Sequence, residues 1–161
     1  MSASKSNNNN KKREVLDNGH WLFHEAMRPD LYFGFTYLIW CKKTNKGYVG
    51  RKQYKHAGKK SSRNYGKETN WRTYMGSSAH LNEHINTHGV KNMLFICLGE
   101  YSCRGDLVWA EVEEQVKRDV LRARSEDGKR VYYNGQIAAI KFIPPNRISN
   151  INQDIPEELR V

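Results

Sequence analysis

The sequence predicts a small α/β sandwich with a three-stranded mixed sheet flanked by helices. Three stretches carry this expectation. Residues 33–53 alternate Phe33, Phe35, Tyr37, Ile39 and Cys41 with other side chains, break at a charged turn and resume, the pattern of two strands in a hairpin. Residues 78–88 set Leu81 and Ile85 at helical spacing between a serine and a glycine, and lead to the uncharged run Met93–Leu98. Residues 106–124 carry Val108, Val112, Val116 and Val120 at i+4 intervals, which predicts a long helix. A hairpin plus a third strand added through a helix gives the sheet.

In chain order, residues 1–13 are low-complexity, with four consecutive asparagines and four cations, and read as a disordered basic tail. Residues 14–32 hold Trp21-Leu22-Phe23, an irregular lead-in expected to pack on the domain. Thr44-Asn45-Lys46-Gly47 is turn chemistry, and Tyr48-Val49-Gly50 opens the return strand. Residues 54–69 have no apolar period and form a basic insertion too long for an ordinary connection. Asn70 is expected to cap a short helical piece over 70–74. Ser78 opens the next helix and Gly89 ends it. Asp106 caps the long helix, which Ser125–Gly128 closes. Val131–Asn134 and Ile137–Ile143 are short apolar pieces, and Pro144-Pro145 ends the folded part. The expected domain is therefore 14–143, with a tail over 144–161 that holds a short helix near Pro156–Leu159.

A chain of 161 residues suffices for one domain with a core. It holds no run of eighteen apolar residues, which excludes a membrane-spanning helix, and no apolar segment follows the first charges, which excludes a secretory signal. The three cysteines form no CxxC pair, so a reducing cytoplasm is expected. The net charge of +10 is concentrated. Residues 51–72 hold Arg51, Lys52, Lys55, Lys59, Lys60, Arg63, Lys67 and Arg72 against the single carboxylate of Glu68, interleaved with Tyr54, Tyr65 and Trp71. Cations among aromatics suit a polyanion that carries bases, so nucleic acid is the expected partner and no membrane is. His80, His84 and His88 form a helical stripe, but it spans about 12 Å, too far for one ion.

Two phenols beside cations, Tyr37 and Tyr48 with Arg51 and Lys52, could do chemistry on a phosphate. On the long helix Glu114 points away from the valine stripe, while Glu111 and Glu113 lie on its flanks. Gln115 is one turn beyond Glu111, and a carboxylate with such an amide neighbour can hold one divalent ion. Glu111 is the choice over Glu113.

The succession Phe35-Thr36-Tyr37, Tyr48-Val49-Gly50, Trp71-Arg72, Gly76-Ser77-Ser78 through His88-Gly89, Met93–Leu98, Ala110-Glu111 and Tyr133-Asn134 resembles the phage-type GIY-YIG nucleases over residues 35–140. Phe35 stands where that family has glycine, and a separate DNA-reading domain after the catalytic one is not expected. The resemblance implies a metal-dependent endonuclease that hydrolyses phosphodiester bonds in double-stranded DNA, of homing or host-DNA-degrading type, phage-encoded and active in a bacterial cytoplasm. Tyr48 or Tyr37 would be the general base or organise the attacking water, with nearby cations favouring the phenolate. An arginine would neutralise the phosphate in the transition state. The family position points to Arg72, with Arg51 as runner-up. Glu111 would bind Mg²⁺ or Mn²⁺ against the leaving 3′-oxygen, and Asn134 would orient a phosphate or a tyrosine hydroxyl. Lys52, Lys55, Lys59, Lys60, Arg63, Lys67 and Trp71 would hold the nucleic acid, with a homodimer or an accessory partner supplying selectivity. The alternative is a non-catalytic basic nucleic-acid-binding protein on a degenerate nuclease fold, whose binding would survive loss of Glu111.

Overall fold

A computed structural model describes residues 17–137. The expected basic tail over 1–13, most of the 137–143 piece, the Pro144-Pro145 boundary and the 144–161 tail lie outside these residues. Strand β1 (Gly34–Cys41) pairs with β2 (Lys46–Gln53) on one side and with β3 (Met93–Tyr101) on the other, so the order is β2-β1-β3. Helix α1 (Ala79–His88) precedes β3, and helix α2 (Arg104–Lys117) follows it.

The sheet is α/β as expected, but all of its strand pairs are antiparallel rather than mixed. The crossover through α1 carries the chain past β1, so β3 runs parallel to β2 without touching it. Parallel pairing is confined to isolated bridges, Leu22 beside Ile96 and Gly47 beside Tyr132. The lead-in therefore docks on β3, and the 131–134 segment docks on β2.

Alternation along β1 builds the core. Phe35, Tyr37, Ile39 and Cys41 are buried against Trp21, Tyr54, Trp71, Leu81, Ile85 and Phe95. Burying a side chain such as Phe35 or Ile39 contributes about 1.5–3 kcal/mol. The other face receives α2, where a side chain on Gly34 would collide with Leu107. The hairpin turns over residues 42–45, two residues earlier than the turn chemistry suggests, and Asn45 takes a positive φ of 52° there.

The 54–69 insertion is tied at its base. Lys55 bridges Glu68, His56 N donates to Lys67 O at 2.8 Å, and Thr69 N donates to Tyr54 O at 2.8 Å. Its tip is exposed. The 70–74 piece is a single 3-10 turn, Trp71–Thr73, and Asn70 gives it no side-chain cap. Asn70 Oδ1 accepts from Lys52 Nζ instead, at 2.9 Å. In α1 the caps follow the sequence: Ser78 accepts from Leu81 N, and Gly89 closes with φ 82°.

α2 departs most from expectation. It starts at Arg104 under a Cys103 cap rather than at Asp106, and ends at Lys117 rather than near 124. Its buried residues are Leu107, Val108, Ala110 and Gln115, while Val116 is 60% exposed. At 100° per residue an i+4 series advances about 40° each step, so the valine stripe winds off the core within two steps. Cys41 and Cys97 are buried free thiols. Among the described residues, no helix is long and apolar enough to cross a membrane.

Candidate active site

β2 is an edge strand, and its edge beyond Val49 is where side chains from both faces of the sheet can meet. Tyr48 is opposite Ile39 and shares its face with Tyr37; Arg51 is opposite Thr36 and points to the α2 face. Gly50, opposite Tyr37, separates them. A Cβ on Gly50 would stand 2.5 Å from Tyr37 Oη and 3.0 Å from Tyr48 Cε1. The glycine is therefore what lets the Tyr37 ring lie across the strand beside Tyr48, with ring centroids 6.4 Å apart. α2 lies across this edge and lays Glu111 against Arg51, where the guanidinium Nη1 donates to Glu111 Oε2.

A cavity of about 290 Å³ opens there, lined by Tyr37, Tyr48, Arg51, Tyr74, Ser77, Glu111, Gln115 and Asn134. Tyr37 is buried, and its ring meets that of Tyr74 edge-on with centroids 6.0 Å apart. The Glu111 side chain is only 12% exposed. Burial pushes its carboxyl above the usual range, and Arg51 partly offsets this. Burial also pushes Tyr37 well up and Tyr48 up; for Tyr48 the Glu111 charge and Tyr74 add to it and Arg51 opposes. Of the nearby cations expected to favour a phenolate, Arg51 acts in that direction on Tyr48, while burial and the Glu111 carboxylate act against it.

Five of the expected residues, Tyr37, Tyr48, Arg51, Glu111 and Asn134, meet in this cavity. Arg72 does not line it. Its guanidinium pairs with Glu68 and with Asp17 and lies 4.3 Å over the Trp71 ring. The tied base of the 54–69 loop sets Arg72 with Glu68 and leaves Arg51 at the phenols. Asn134 lines the cavity. Its amide closes a two-way clamp on the backbone of Val49, accepting from Val49 N at 2.9 Å and donating to Val49 O at 2.7 Å. This clamp holds β2 beside Tyr48.

Trp71 is fully buried, and its indole N–H donates to Glu68 Oε1 at 2.5 Å, so it presents no ring to a base. Tyr54 is likewise buried. Lys55, Lys59, Lys60, Arg63 and Lys67 are exposed on the loop. Lys52 lies 4.0 Å over the Tyr74 ring. Glu113 is not in the cavity lining. The residue that sequence reasoning missed is Tyr74. Its signal is an aromatic in extended conformation just after the Trp71–Thr73 turn and two residues before Gly76, whose φ is 88°.

The donor set fits a divalent cation that keeps most of its waters. Among the described residues no cluster of three His, Cys, Asp or Glu side chains could hold a metal. Magnesium, however, is commonly held by one or two carboxylates plus substrate phosphate. Glu111 supplies the carboxylate, and Gln115 Oε1, one turn on, is a buried acceptor without a hydrogen-bond partner. Gln115 Nε2 points to Val49 O at 3.4 Å, so the orphan is the oxygen, the ligand type a hard cation takes.

Comparison with known proteins places most of the chain in one family. The family model described as "Putative endonuclease segE, GIY-YIG domain" matches residues 21–137, which include every residue lining the cavity named above. No curated protein and no solved structure gives a significant match. The chain belongs to the GIY-YIG endonuclease domain family and is a nuclease, a phosphodiester hydrolase acting on nucleic acid.

Proposed function

We propose that the chain is a divalent-metal-dependent endonuclease that cuts double-stranded DNA at the cavity between β2 and α2. One observation carries the reading: the Arg51–Glu111 ion pair stands beside the Tyr37 and Tyr48 phenols, all lining one cleft. Arg51 binds the scissile phosphate and offsets the charge that grows on it. Tyr48 hydrogen-bonds the attacking water as a neutral phenol and orients it. Tyr37, packed against Tyr74, fixes the Tyr48 side of the cleft. Glu111 and Gln115 would hold Mg²⁺ or Mn²⁺, which supplies Lewis-acid stabilisation of the leaving oxygen. When the phosphate arrives, the Arg51 fork turns from carboxylate to phosphate, and the Glu111 charge it leaves is free for the cation. The exposed lysines of the 54–69 loop hold the flanking duplex. The reading extends to a phage-encoded catalytic module, spanning 14–143, at work in a bacterial cytoplasm.

The test is nicking of supercoiled plasmid with Mg²⁺, Mn²⁺ or EDTA. Nicking should require the metal, and Glu111→Ala or Tyr48→Phe should lower the rate by about a hundredfold or more. Salt-sensitive binding without cleavage under any metal, unchanged by Glu111→Ala, would support the binding-protein alternative instead.

A further inference from the structure

Three segments leave the active-site cavity and enter a second one. β2 gives Tyr48 to the first and Lys46, two residues back on the same face, to the second. Ser77 lines the first, and α1, which follows it, gives His80 and His84 to the second. Asn134 lines the first, while Arg130, Tyr132 and Tyr133 line the second. The second cavity is the larger, at about 500 Å³.

Its chemistry is that of a phosphate site with aromatic walls. Lys46 and Arg130 bring two cations, and among the described residues no ion pair uses either. Glu83 is the one carboxylate in the lining. Lys46 Nζ lies 5.8 Å over the Tyr133 ring. His84 Nε2 is 2.9 Å from Thr44 Oγ1, and burial, His88 and Lys46 lower its pKa, so it contributes as a neutral hydrogen-bonding group. With two cations against one carboxylate in the lining, an anion suits the pocket better than a cation. The step from Tyr48 to Lys46 is about 7 Å of strand, equal to two nucleotides of axial rise in one DNA strand.

We propose that this cavity is a second backbone subsite, in which Lys46 and Arg130 hold a non-scissile phosphate of the strand being cut while Tyr132 and Tyr133 flank its sugar. The proposal rests on the nuclease reading above and adds the route the strand takes away from the cleavage point. Arg130 also donates to Asn134 O, so the subsite is mechanically joined to the clamp on Val49. Lys46 is therefore the cleaner residue to change.

The experiment uses the full chain and a short duplex with a neutral methylphosphonate placed at one phosphate at a time. In wild type, one position within a few nucleotides of the cut should weaken binding severalfold. In Lys46→Ala that same position should cost little further, and the slope of log affinity against log salt should fall by about 1. Lys46→Arg should restore both. KM should rise in Lys46→Ala far more than kcat falls. An unchanged methylphosphonate profile and salt slope in Lys46→Ala would overturn the subsite while leaving the nuclease reading intact. A wild-type protein that neither binds nor cuts any duplex would overturn both.

Discussion

In the proposed reaction, Glu111 is the residue at which stability and function oppose each other. Its carboxyl is pushed up chiefly by burial, and the half-exposed Arg51 recovers only part of that cost. The folded state therefore binds the Glu111 proton more tightly than the unfolded chain. Between the ordinary carboxylate pKa and the raised value, the folded state holds more protons, so this group's contribution to stability falls as pH rises through that window. Glu111→Gln removes the buried charge and keeps the shape. Without metal at pH 8 it should melt no lower than wild type, by calorimetry, while nicking is lost. A clear drop in melting temperature would mean that the ion pair stabilises the fold. A proton on Glu111 also competes with the cation, so the wild-type rate should climb with pH across the same window. The two tyrosines were legible in the sequence from their hairpin spacing. The upward shift of their pKa values was not, because it depends on how deeply α2 and Tyr74 cover them.

At the scale of elements, the site depends on how the 131–134 segment and α2 grip β2. Gly47 N donates to Val131 O at 2.9 Å and Tyr133 N to Gly47 O at 2.9 Å, and the Asn134 clamp then fixes Val49. Asn134→Ala leaves Val49 N without its side-chain acceptor and Val49 O with only the longer contact from Gln115 Nε2 at 3.4 Å. It should cost about 1–3 kcal/mol, read by urea denaturation, and nicking should fall with it. A loss below about 0.5 kcal/mol would mean that water replaces the amide at no cost. Tyr133-Asn134 could be singled out from the sequence, but its target could not, because Val49 is 85 positions away. α2 was legible as a helix and misread in rotation. Its i+4 valines drift off the core, and Gln115 is buried where the stripe has turned away. α1, by contrast, has short-range caps at both ends and was read to the residue.

For the whole molecule, the +10 charge and the exposed loop make the first encounter with DNA electrostatic. Reversing Lys59, Lys60 and Arg63 to Glu should weaken duplex binding and flatten the salt slope by about 2–3. An unchanged slope would take the loop out of the interface. Order along the chain carried the family resemblance, since each element appears in sequence even where single motifs are degenerate. Which arginine serves the proposed reaction was the part that order could not choose. Arg51 and Arg72 both follow Tyr48, and only the folding of the insertion between them decides which one reaches the cleft. The most direct test is therefore the initial rate of Mg²⁺-dependent plasmid nicking by Arg51→Ala and Arg72→Ala side by side. The account predicts that Arg51→Ala loses about a hundredfold or more while Arg72→Ala stays close to wild type. A dead Arg72→Ala beside an active Arg51→Ala would contradict it.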